Sequence, residues 1–310
     1  MILPSTDRAS VESLPLVPHD QTDWARVARS TYVIRQHLRY EYPVPISALR
    51  QRLIIVPPAR HGDQRCTAWW VDVSQHAVRR DRRDRFGNRI IDLEVDHVQK
   101  AIAFDSCVVV QRRSTPKPHR VVVDSTLGQP TALTFPDPAL KRAARQLRAR
   151  HPNDAALAEA ICDWVHRRLE YSHGITAVDT TAAQALAGGL GVCQDYAHIM
   201  LTLCRQAGLP ARYVSGHLLG EGGSHAWVEV LLQDPDRLSG WIATALDPTH
   251  NRPAGLNYLT IGTGRDYSDV APTSGTYKAT ELGSLHSRKR VGLATIDYRT
   301  PPDFRAENAL

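Results

Sequence analysis

From Thr31 onward, apolar and polar residues alternate with a period near two through TYVIRQHLRYEY, and RQRLIIVPP, TAWWVDVSQ, RIIDLEVDHV and SCVVVQRR follow at short intervals. Clusters of Pro, Gly, Asp and Asn separate these runs. A period of two marks a half-buried strand, so short strands at even spacing predict an antiparallel sandwich over 29–125. DRFGNR, with Gly87 and Asn88 at its tip, predicts a hairpin turn. Residues 1–28 show no periodicity and are rich in Pro, Ser and Asp, which reads as a loose leader.

DSTLGQPTALTFPD, residues 124–137, reads as a linker, and beyond it the period becomes helical. Asp137 and Pro138 fit the N-cap and first position of a helix through ALKRAARQLRAR, and Asn153 with Asp154 fits the start of a second through LAEAICDWVHRRLEY. In the second, Leu157, Ile161, Trp164 and Val165 form an apolar stripe that can pack on a core. After Gly188, Gly189 and Gly191, a third helix starts at Cys193 and stops at Gly208, ahead of Pro210. Its residues Ala197, Met200, Leu201, Cys204 and Ala207 share one face, so its amino end is held in place. Three strand-like runs follow, ARYVSGHLL, HAWVEVLL and WIATALDPT. In the second, His225, Trp227, Glu229 and Leu231 face one way, and Ala226, Val228, Val230 and Leu232 the other. A hairpin with Leu231 opposite Trp241 and a loop over 232–240 sets His225 directly opposite Asp247, at the ~4.5–5.5 Å of a cross-strand pair.

Unpaired N–H groups and the dipole at a helix start favour a thiolate at Cys193 and can donate to a developing oxyanion. With His225 as base and Asp247 as the group that holds it, the three fit the logic of nucleophile, base and orienter. Gln194 and Asp195 read as helix caps. Cys66, Cys107, Cys162 and Cys204 read as small buried hydrophobes.

GVCQDYAH, GLPARYVSGH, SHAWVEV, LDPTHN and GRDYSDVAP, in that order, resemble the motifs of the transglutaminase-like superfamily, and more closely its bacterial branch. TYVIRQHLRYEYPVPIS, LRQRLIIVPP and DRFGN are similar to the β-sandwich that precedes the core in that branch, so the resemblance spans roughly residues 30–280. It implies an α+β fold: an N-terminal antiparallel β-sandwich, then a papain-like core over 126–283; the remaining 284–310, with HSRKR and TPPDFRAENAL, reads as a tail of one weak strand and a mobile end. It also implies that Cys193 attacks an amide carbonyl, that His225 is the general acid and base and that Asp247 orients it, through an acyl-enzyme resolved by water or an amine. Tyr196 stands where the branch often has Phe, and Tyr171 is the candidate for the family's aromatic residue upstream of the cysteine. Trp227, Tyr171, Asp266 and Tyr267 are the candidate substrate-binding residues. The expected activity is that of a thiol-dependent cysteine peptidase or amidase on a peptide or isopeptide substrate. Amine transfer and a catalytically silent peptide-binding module are the rivals, and the complete triad argues against the module.

Hydrophobic residues at 42% and charged residues at 23% exclude a disordered, collagen-like or coiled-coil chain. Five cysteines without a CxxC pair argue against a disulfide framework and a structural zinc site. His198 and His217 lack ligand partners at useful spacing and there is no HExxH, so neither metal nor cofactor is expected. The net charge of +6 comes from arginines scattered along the chain, apart from a knot at Arg79, Arg80, Arg82, Arg83 and Arg85 interleaved with Asp81 and Asp84. Nucleic acid is therefore not an expected partner. No run approaches the ~18–20 apolar residues of a membrane span. The first twenty residues lack the apolar core of a signal peptide, so a cytoplasmic location is expected. Nothing in the sequence speaks to oligomeric state.

Overall fold

The period-two runs form two facing antiparallel sheets in a computed structural model that describes residues 8–114, 117–237 and 239–299. Their strands are β1 (Val27–Glu41), β2 (Ile46–Leu53), β3 (Gln64–Val73), β4 (Val78–Arg83), β5 (Arg89–Val98) and β6 (Ala101–Arg113). Alternate residues point inward, and Ile34, Leu38, Leu53, Ile91, Leu93, Phe104 and Val108 interlock between the sheets.

The second half builds another antiparallel sheet from β7 (Ala211–Leu218), β8 (His225–Gln233), β9 (Trp241–Asp247) and β10 (Tyr258–Gly264), in the order β9, β8, β7, β10. Arg252–Pro253 and Arg120–Val121 each add a two-residue pairing to β9. Helices α1 (Pro138–Arg150), α2 (Asp154–His166), α3 (Ala182–Gly188) and α4 (Cys193–Gln206) cover one face, where Leu157, Ile161, Ile199 and Met200 meet Ala226, Val228 and Val230. The caps are those the sequence predicts. Asp137 Oδ1 accepts the Leu140 N–H at 2.8 Å, and Asn153 Oδ1 that of Ala156 at 3.0 Å.

α4 is buried from Asp195 to Arg205 on all sides rather than along one stripe. Its Arg205 donates to Leu127 O at 3.0 Å, Thr134 Oγ1 at 2.8 Å and Ala211 O at 3.1 Å, so 124–137 is a packed layer and not a free linker. Burying a guanidinium demands partners for its donors, and this segment supplies two of the three named.

The end of the chain also departs from the expected division. β11 (Thr273–Lys278) pairs with β2, and β12 (Ser284–Tyr298) pairs with β1 along its whole length. Each sandwich sheet therefore takes an edge strand from beyond the second sheet, and the core is inserted into the sandwich instead of following it. SLHSRKR reads weakly because an edge strand is solvated and its alternation fades. The leader is not loose over its described part: Val11 is buried beside Val33, Cys107 and Val109, and the Val17 N–H donates to Leu293 O at 2.7 Å. Residues 1–7 and the expected mobile end at 300–310 lie outside the described residues.

β10 is an edge of its sheet, and the sandwich closes it with two carboxamides. Gln64 Nε2 donates to Thr260 O at 2.7 Å while its Oε1 accepts the Thr260 N–H at 2.9 Å. Asn88 does the same at Thr263, at 2.7 and 2.8 Å. Asn88 stands at the DRFGN tip, where Asp84 Oδ1 accepts the N–H groups of Phe86 and Asn88, both at 2.9 Å, and Gly87 takes φ +84°. Among the described residues no helix is long and apolar enough to cross a membrane.

Candidate active site

α4 begins at Cys193 after Val192, which has no side chain able to cap it. Asp195 reaches back instead, its Oδ2 accepting the Val192 N–H at 2.8 Å and the Thr176 hydroxyl at 2.7 Å. A Cβ on Gly191 would lie 2.7 Å from Asp195 Cβ, so only glycine permits this approach. Gln194 does not cap; it donates to Val178 O at 3.0 Å. The Cys193 N–H itself meets the Tyr171 hydroxyl. Burial, then the neighbouring Cys193 and Glu221, push that phenol up to about 12, so it keeps its proton at neutral pH.

His225 opens β8 and Asp247 closes β9. Val228 pairs with Leu246 and Gln233 with Trp241, a register two residues away from the expected pairing of Leu231 with Trp241. β8 runs further than the sequence suggests, and the following turn is closed by the Asp234 N–H on Gly240 O at 2.9 Å. A shift of two leaves every side chain on its own face, so His225 and Asp247 still meet, diagonally, with Nε2 2.8 Å from Oδ2.

His225 also stands beside the Cys193 thiol, which helps to raise it, and its Nδ1 lies 3.3 Å from Glu221 Oε2. Asp247 Oδ2 takes the Tyr258 hydroxyl at 2.7 Å and meets His250 Nδ1 at 2.8 Å, while Oδ1 accepts the Thr249 N–H at 2.9 Å. Burial would raise the Asp247 carboxyl, but the bonds from His225, His250 and Tyr258 hold it far below the usual carboxylate range. Burial would lower His225, and its bonds to Asp247, Cys193 and Glu221 override this and raise it. Sequence reasoning assigns no role to Glu221 or His250, whose Oε1 and Nε2 stand 3.2 Å apart and close a ring with His225 and Asp247. Their positions, four residues before His225 and three after Asp247, are the signal that could have found them.

Of the candidate substrate residues only Tyr171 is open beside the thiol, at 44% exposure. Trp227 is 1% exposed; it stacks on His225 at 6.1 Å and meets Tyr258 edge-on at 5.3 Å, so it is a wall under the site, not a contact for substrate. Asp266 is buried and caps α5 (Tyr267–Val270) through the Ser268 N–H at 2.8 Å. The Tyr267 N–H donates to His198 Nε2 at 3.3 Å and its ring packs on Tyr213. Asp266 is thus taken up by the cap, and half-buried Tyr267 lies against His198 of α4 and Tyr213 of β7.

Burial raises the thiols of Cys66 to about 11 and of Cys162 and Cys204 to about 12, and Cys107 is buried. Cys193 is partly exposed and has an imidazole partner. Iodoacetamide at neutral pH should therefore alkylate Cys193 before the other thiols, read by peptide mass spectrometry of the native protein. Equal labelling of all of them would argue against an activated site.

Residues 32–111 match the family model of the bacterial transglutaminase-like N-terminal region, and residues 141–246 that of the transglutaminase-like superfamily. Uncharacterized protein ML0607 of Mycobacterium leprae is 37% identical over 168 residues, covering 50% of this chain and 57% of its own. Uncharacterized protein Rv2569c of Mycobacterium tuberculosis is 35% identical over 123 residues, 36% of this chain and 38% of its own. The matches thus span about half the length of these relatives or less. The solved "putative cysteine protease" of Cytophaga hutchinsonii shares the α+β fold, with a TM-score of 0.71 over 87% of this chain and 93% of that one at 21% identity.

Proposed function

Because this chain belongs to the transglutaminase-like superfamily, we propose that it is a thiol-dependent amide-bond hydrolase, a cysteine peptidase or amidase acting on peptide or isopeptide substrates. The observation that carries this reading is the buried pair of His225 Nε2 and Asp247 Oδ2, 2.8 Å apart, set beside the partly exposed Cys193 thiol at the start of α4. Asp247 holds Nε2, which leaves Nδ1 to take the thiol proton. The sulfur then attacks the carbonyl carbon, and the carbonyl π pair moves to oxygen. The Cys193 N–H and the Tyr171 hydroxyl stand where that charge develops. Collapse of the adduct breaks the C–N bond, and His225 gives its proton to the departing amine. Water adds to the thioester with His225 as base, releasing a carboxylate and the restored thiol. Asp247 remains ionised throughout and stabilises the imidazolium.

The partial exposure of Cys193, Tyr171 and Glu221 favours water as the acceptor over a specific amine. The test is intact-mass analysis with a library of amide and isopeptide peptides, with and without a primary amine. A thioester adduct on Cys193 and a carboxylate product independent of amine are expected. Product that forms only with amine would assign acyl transfer instead, and neither adduct nor product would assign a binding module.

A further inference from the structure

β8 carries a second polar cluster on the face that meets the sandwich. Glu229 has a side chain 5% exposed, with Oε1 2.7 Å from His61 Nε2 and 3.9 Å from His119 Nδ1. Its Oε2 accepts from Arg212 Nε at 2.6 Å. The two imidazoles meet edge to face with centroids 4.5 Å apart. His61 belongs to the pairing with Gln64 that borders β3, and His119 to the connection that joins β9 at Arg120. Gly62, at φ +55°, lets His119 lie against this turn, since a Cβ there would stand 3.1 Å from His119 Cγ. A cavity of about 160 Å³ is lined by His61, His119 and Glu229 together with Asp63. A water needs only ~10–15 Å³ of such space.

We propose that His61 Nε2, His119 Nδ1 and Glu229 Oε1 form a binding site for a divalent transition ion, zinc foremost, with a water from the cavity as fourth ligand. The ligand atoms lie within 4.8 Å of one another. Tetrahedral zinc with bonds of about 2.0–2.2 Å sets its ligands about 3.3 Å apart. The contact of 2.7 Å therefore opens slightly and that of 3.9 Å closes by a similar amount. Two imidazoles and one carboxylate suit zinc and not calcium or magnesium, which take oxygen. Arg212 holds the outer carboxylate oxygen and turns the inner one toward the rings, the role of an orienting partner behind a ligand. A second group, His225, Asp247 and His250, is similarly close. There Asp247 Oδ2 is already taken by three side chains, His225 among them. The ion would clip the sandwich, the connection and β8 at one point.

The test uses the full chain stripped with EDTA, titrated with zinc and with cobalt as a visible probe, and followed by dialysis with metal analysis and by melting temperature. One ion per chain is expected, with tetrahedral cobalt absorption and a melting temperature that rises with zinc. His119→Ala should weaken binding at least about tenfold and His250→Ala should not. His119 is the deciding position because it makes no hydrogen bond to Glu229, whereas His61→Ala strips a partner from a buried carboxylate. No ion retained at micromolar zinc, unchanged affinity in His119→Ala, or loss on His250→Ala would overturn the site. None of these readouts depends on turnover, so the result stands apart from the proposed activity.

Discussion

Cys193→Ala is expected to abolish turnover, lowering kcat by at least about 10⁴-fold, while the melting temperature stays near that of the unaltered protein. The substitution removes the thiol beside His225 and places the best helix former at the first position of α4. Partial exposure means that little packing is lost. Turnover measured beside a circular-dichroism melt separates the two effects. Activity within tenfold of the starting protein would remove Cys193 as the nucleophile.

Asp247→Asn should cost somewhat less, about 10³–10⁴ in kcat, because a neutral amide can still touch the ring but cannot balance an imidazolium. Its effect on stability should depend on pH, and the sign follows from the two groups. Asp247 is held low in the fold, so its contribution is present above the unfolded value near ~3.9 and is lost as the pH falls through its native one. His225 is held high, so its contribution is complete below ~6.5 and is lost as the pH rises through its native value. Both are therefore full only between about pH 4 and 6.5. The gap in melting temperature between the unaltered protein and the Asp247→Asn variant should be widest there and narrow on either side. A gap constant with pH would assign the loss to the hydrogen bonds of Tyr258 and Thr249 rather than to charge.

Much of this site is legible in the chain because its parts are local. The glycines before Cys193, the helix stop at Gly208 and the strand parity of β8 each depend on a few neighbouring residues. Parity explains why the His225–Asp247 contact survives a register misread by two: alternation along a strand decides which face a side chain takes more firmly than which partner it meets. Trp227, Asp266 and Tyr267 fail as substrate contacts for a different reason. Proximity along the chain to a motif does not report packing: Trp227 is covered by Val214, Leu218 and Tyr258, and Tyr267 lies against Tyr213 and His198. His61 and His119 lie in segments far from Glu229, and no periodicity connects them. The closing strands β11 and β12 are obscured by their solvated side, since an edge strand has only half the apolar pattern of a central one.

The two carboxamides on β10 bear on how this chain can be cut. Gln64 and Asn88 supply what a neighbouring strand would otherwise supply, and both come from the sandwich. A fragment beginning after Arg113 would carry the whole triad yet leave Thr260 and Thr263 with bare backbone groups along an open margin. Such a margin is a template for the same strand of a second molecule. The fragment would meet its own kind edge to edge and come out of solution as growing sheet, so the sandwich serves the intact chain as a fixed stopper against self-association.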